Sequence, residues 1–184
     1  MKRLIFPCFL FSCLTTTAQE SQTYAGLLNS TDEVQLSDSL HITAALRQMN
    51  LLDSLTVKKW FSLVFDFTDN DRLKNRSYYL AGKITSAGNF DLLVLLEQKK
   101  KSDSTGVQVV YLITTKKDGT YIASIEAAAA GIRKKSSYNT SSWLYKDYKI
   151  VLDSKITINQ KSYDDLTNYK INSGGRFILY PKYE

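Results

Sequence analysis

Leu92-Leu93-Val94-Leu95-Leu96 sets five bulky apolar side chains in a row, and this run constrains the fold more than any other stretch. Successive side chains of a strand point to opposite faces. A strand built on this run is therefore apolar on both sides, and needs a central position with a cover on each face. The segment from Val107 to Thr115 has the same character. Around these two lie period-two segments that read as half-buried strands: Tyr78 to Ile84, Tyr121 to Glu126, and Tyr148 to Ile158. In the last of these, Ile150, Leu152, Ile156 and Ile158 share one parity, and Lys149, Asp153 and Lys155 share the other. Phe177 to Tyr180 follows the turn residues Gly174 and Gly175. Lys117-Asp118-Gly119-Thr120 is the strongest turn signal, because Asp-Gly tolerates the positive φ of a tight hairpin.

Strands joined by short turns pair mainly with their sequence neighbours. The expected architecture is mainly β (α+β): an antiparallel meander of about six or seven strands, curled or closed as a partial barrel. The cover is expected from an N-terminal helical segment. Ser37-Asp38-Ser39 offers cap oxygens before Leu40, Ala44, Ala45, Leu46 and Met49, a spacing that predicts a helix over 38–50. Asp53-Ser54 caps a second helix through Lys58, Trp60 and Phe61, although the segment from Trp60 to Phe67 also fits a strand.

The first twenty residues belong to a different category. Lys2 and Arg3 precede an apolar run from Leu4 to Leu14, and the small residues Thr16, Thr17 and Ala18 follow. The run is too short for a membrane-spanning helix, which needs about 20 apolar residues, and its order is that of a secretory signal. Residues 1–18 are thus expected to be a signal peptide, 19–35 a polar lead-in, and 36–184 one β-rich domain. Leu10-Phe11-Ser12-Cys13 resembles a bacterial lipobox, which implies lipidation of Cys13 and an outer-membrane anchor as the alternative to periplasmic or secreted release. Cys8 and Cys13 are the only cysteines, so a chain starting near Gln19 carries no thiol and no disulfide.

These features narrow the chemistry. The formal charge is +6, and +4 once Lys2 and Arg3 leave with the leader, well short of the dense basic footprint of a nucleic-acid binder. His41 is the only histidine, which excludes a zinc site built on a cluster of histidines, and with no partner histidine it reads as a surface or packing residue rather than a base. The eight glycines form no phosphate loop, and the expected cofactor is none. Asp69-Asn70-Asp71 lacks the glycine and glutamate of a calcium loop and reads as a solvated turn. Asp164-Asp165 leaves open a carboxylate-dependent hydrolase of a polysaccharide or cell-wall polymer.

Two groups are candidates for binding. Tyr138, Trp143, Tyr145 and Tyr148 either form a packed aromatic stripe or present rings to a partner; Trp143 and Tyr145 share a face if the segment is a strand. Lys99-Lys100-Lys101 and Arg133-Lys134-Lys135 lie in connections expected at one end of the meander, with Lys116 and Lys117 at the other. Gathered at one rim, the first two clusters would attract an anionic partner; apart, they simply keep loop tips solvated. The leading expectation is an exported, non-catalytic binding or envelope-associated protein that presents loops or a sheet face to a protein or glycan of the cell envelope. Membrane contact is expected only in the lipidated alternative, through an anchor at Cys13. A structural component of an envelope assembly is the third reading.

Overall fold

A computed structural model describes residues 23–45, 50–65, 71–85, 88–99, 106–133 and 135–181. The leader with Cys13, the Asp69–Asn70 turn, Lys100, Lys101 and Lys134 lie outside them. In chain order the elements are α1 (Tyr24–Asn29), β1 (Ser39–Ile42), β2 (Asn50–Leu51), α2 (Ser54–Phe61), α3 (Asp71–Asn75) and β3 (Arg76–Thr85). There follow β4 (Phe90–Lys99), β5 (Val107–Lys116), β6 (Tyr121–Arg133), β7 (Ser136–Tyr145), β8 (Lys149–Ile158), β9 (Lys161–Ile171) and β10 (Phe177–Leu179). From β2 to β10 each strand pairs antiparallel with its sequence neighbour, and β1 pairs with β7. The meander is open, and it has ten strands instead of six or seven.

β4 and β5 are central, as the double-sided apolar runs require, and each face has its own core. On one face α1 and α2 bring Tyr24, Leu27, Val57 and Phe61 onto Leu93, Leu95, Tyr111 and Ile113. On the other, Leu92, Val94, Leu96 and Leu112 meet Leu144, Ile150 and Ile171 from β7, β8 and β9. The second cover is thus the sheet itself, coiled back over its first half. Ala127 and Ala128, fully buried in β6, give this return a thin wall. Ala127 is also the extra residue of a β-bulge, where Val110 pairs with Ala128 and Tyr111 with Glu126. Bulges bend strands and increase twist. Four alanines in a row favour a helix by propensity, but here the close packing of two sheet layers decides.

Local chemistry sets the ends. Asp53 caps α2 with Oδ1 accepting from Leu55 N (2.8 Å) and Thr56 N (2.9 Å). The Thr56 amide, with its hydroxyl, holds the Asp53 carboxyl below its usual range. Gly119 closes the β5–β6 hairpin at φ 90°, and a Cβ there would stand 2.7 Å from both the Trp60 and Tyr24 rings. Both demands select glycine.

Three expectations need correction. Ser39–Ile42 is a strand and not the start of a helix over 38–50: it pairs with Ser142–Tyr145 and buries Ile42 in the second core. The helical spacing was real, but tertiary pairing overrode it. The stretch read as a polar lead-in enters the fold at Tyr24 and Leu27, both buried, behind a Thr23 cap. On β8 the inward parity holds at Ile150, which is buried, while Leu152 and Ile156 are half-buried and Ile158 is 42% exposed. Alternation sets the direction of a side chain; how far the covering layer reaches sets its burial.

Candidate functional site

The register of β7, β8 and β9 places successive rows of side chains on one face. Leu144, Ile150 and Tyr169 form a row inside the core. Ser142, Leu152 and Thr167 follow, then Thr140, Ser154 and Asp165. The next row, Tyr138–Ile156–Tyr163, is apolar again, and Tyr163 is 56% exposed. Ile158 extends it. The apolar row therefore stands beyond a polar band, at the open end of the sheet, where Tyr138 and Ile156 are half-buried and Tyr163 and Ile158 are exposed.

That same end carries the basic segments. Arg76 pairs in register with Lys99, Val107 with Gly131, and Arg133 with Ser136, whereas Lys116 lies opposite Phe90 at the other end of β4. Lys99 lies two strand spacings, about 10 Å, from the backbone of Gly131, and Arg133 follows two residues further along β6.

Beneath the open end lies a buried ionic cluster. Glu97, with 1% of its side chain exposed, pairs with Arg72 through Nε–Oε1 (2.9 Å) and Nη2–Oε2 (3.0 Å), and with Arg76 through Nη1–Oε2 (3.0 Å). The hydroxyls of Tyr78 and Tyr111 donate to it at 3.0 and 3.1 Å. Burial, followed by the charge of Glu97, pushes both phenols well above their usual range, so both remain neutral donors. The cluster opens into a cavity of about 270 Å³ bordered by Arg76, Lys99, Glu126, Tyr111 and Tyr138, with Val107, Val109 and Ala129 as its apolar lining. The sequence did carry a signal for Glu97: it directly follows Leu96 on a strand buried on both faces, where a carboxylate requires partners.

The four aromatic candidates separate. Tyr138 packs at the edge of the first core. Trp143 and Tyr145 point outward, 42% and 40% exposed, and His41 on β1 stacks on Trp143 with ring centres 4.3 Å apart. Tyr148 packs into the second core, edge-on to Phe90 at 5.7 Å. The solitary histidine is thus a stacking partner in a cross-strand pair.

The carboxylates are dispersed. Asp164 and Asp165 stand on opposite faces of β9, and Asp165 accepts from Thr167 at 2.8 Å. Asp91 is buried at the far end of β4, bound to Lys117 (2.5 Å) and Tyr24 (3.3 Å). Six residues along the strand put it about 20 Å from Glu97. Beside it, Lys116, Lys117, Asp118 and Arg176 border a wider depression of about 630 Å³. Among the described residues no three His, Cys, Asp or Glu side chains converge as a metal site. Comparison with protein-family models, curated proteins and solved structures finds no match to this chain.

Proposed function

We propose that this chain is an exported, non-catalytic binding protein of the cell envelope, and that the open end of its coiled sheet docks a protein partner. The observation that carries this reading is the apolar row Tyr138–Ile156–Tyr163 with Ile158, half-buried at Tyr138 and Ile156 and exposed at Tyr163 and Ile158, held on a paired three-strand platform beyond the polar band. Rigid presentation limits the entropy lost on binding. The neighbouring strand edge adds to it: β10 pairs with β9 only from Tyr169 to Ile171, and among the described strands none pairs with the outer side of β9 from Lys161 to Thr167. An open edge of this length suits strand addition by another chain. Aliphatic groups such as Ile158 and Leu166 on this limb favour a protein over a glycan. The exposed indole that would suit a sugar already has His41 on one face.

Hydrolysis is less well supported. A glycosidase pair stands roughly 5–10 Å apart, whereas the two buried carboxylates are separated by most of β4 and are each engaged by donors.

Site-specific photocrosslinking tests the docking claim. A benzophenone residue at Tyr163 should give one discrete, protease-sensitive envelope adduct that excess unmodified protein competes away. The same probe at Leu63, more solvent-facing than Tyr163 but on the other half of the molecule, should give none. No adduct from position 163, or identical adducts from both, would overturn the proposal; a protease-resistant adduct cleaved by glycosidases would make the partner a glycan. The mass of the mature N-terminus separates release near Gln19 from a diacylglyceryl group on Cys13.

A further inference from the structure

We infer that the cavity beside Arg76 binds a carboxylate attached to an apolar group, carried either by a small free acid or by the C-terminal residue of a peptide. The peptide source rests on the docking reading above; the small-acid source does not.

Cations outnumber carboxylates around this cavity. Glu97 meets five donor contacts from Arg72, Arg76, Tyr78 and Tyr111. A carboxylate offers about four lone-pair sites, so it has no capacity left for a ligand donor. Arg72, Arg76 and Lys99 against Glu97 and Glu126 leave one net positive charge around the cavity. Arg76 commits Nη1 to Glu97 and borders the cavity. An arginine has five N–H donors, so a planar acceptor can still be gripped at a second edge. Lys99, its register partner across β3 and β4, supplies a second cation at the same wall.

The remaining walls select what accompanies the anion. Val107, Val109, Ala129 and the ring of Tyr138 offer apolar contact and no charge. Glu126 opposes any second negative charge, which disfavours phosphate and dicarboxylates. About 270 Å³ is slightly below the range for a drug-sized ligand, roughly 300–1,000 Å³. It fits one ring or a branched side chain with its carboxylate. The cavity borders Tyr138, the half-buried first member of the apolar row that ends in exposed Tyr163, so a peptide lying on that row could end inside it.

Calorimetric or NMR titration of the isolated protein with phenylacetate, phenylacetamide, and acetyl-Ala-Ala-Phe as free acid and as amide tests the inference. At least one acid should bind, with its amide about 10-fold weaker or more, since a lost charge-assisted contact is worth at least that factor. Arg76→Gln should weaken the acid by a similar factor. Glu126→Gln should tighten it, and Arg176→Gln, at the opposite end, should leave it unchanged. A tripeptide acid at least about 10-fold tighter than phenylacetate identifies the peptide source; equal or weaker tripeptide binding identifies the small acid. If neither acid binds, or the amides bind as well as the acids, the inference fails. The Glu126 variant stays informative if Arg76→Gln does not fold: unchanged affinity there also overturns the cavity assignment.

Discussion

The two halves of the sheet are built from similar strands but finished differently. β3 to β6 carry a core on each face, and the outer edge of β3 is closed by Leu52 bonding to Tyr78 and by Asp32 and Val34 bonding to Lys83. β7 to β10 join the second core at one end; toward the other end Tyr138 alone packs at the edge of the first core, and the side chains pass from buried Leu144 and Ile150 to exposed Ile158 and Tyr163. β9 exposes an edge bearing Lys161, Asp164 and Asp165, charges of the kind that discourage indiscriminate edge pairing. The first half is therefore buried over most of its length, and the second is buried at Leu144, Ile150 and Ile171 and exposed beyond them.

The largest contrast should come from truncating β4. Leu95 is fully buried in the first core, so Leu95→Ala should cost about 2–5 kcal/mol in denaturant unfolding. A loss below about 1 kcal/mol would mean that the helix cover is loosely held.

High pH should strike the same half. The neutral hydroxyl of Tyr24 bonds Thr115 (2.5 Å) and Asp91, and burial pushes its pKa up to about 12; Tyr78 and Tyr111 are shifted in the same direction. A phenol whose folded pKa is raised contributes stability that is complete below its unfolded value, about 10, and is lost as pH rises through the folded value. Alkaline unfolding should therefore begin above pH 10 together with late phenolate absorbance, and Tyr24→Phe should shift its onset upward. Ionisation of these phenols in a protein that stays folded would break the link.

Smaller effects mark the boundary of the second half. Leu152→Ala, in the half-buried row, should cost about 1–2 kcal/mol. Leu166→Ala, at a 42% exposed site, should change stability by no more than about 0.5 kcal/mol. Equal losses at Leu95 and Leu166 would abolish the distinction between the halves.

Much of the first half was legible in the sequence. The doubly apolar runs marked β4 and β5, the Asp-Gly turn marked their next hairpin, and Asp53 marked α2. The second half was harder to read for a physical reason. Lys161–Ile171 is almost wholly exposed along most of its length, so no burial imposes an alternating pattern on it. β1 carries a helix-compatible spacing that only its pairing with distant β7 overrides. A curled sheet was expected, but which strands cover β4 and β5 was not, because that depends on where Leu144 and Ile150 land and not on their type. The candidate site shares this limit: the basic clusters could be seen, but Arg72, Arg76 and Glu97 are joined only by the register of β3 and β4 and the position of α3.

Residue-resolved hydrogen exchange on the free protein tests the division most directly. The amides of Leu92 to Leu96 should exchange only through global unfolding, while the outward amides between Lys161 and Thr167 should exchange orders of magnitude faster, through local opening. Equal protection of the β9 edge and the β4 centre would contradict the account, because it would mean that the second half is sealed as well.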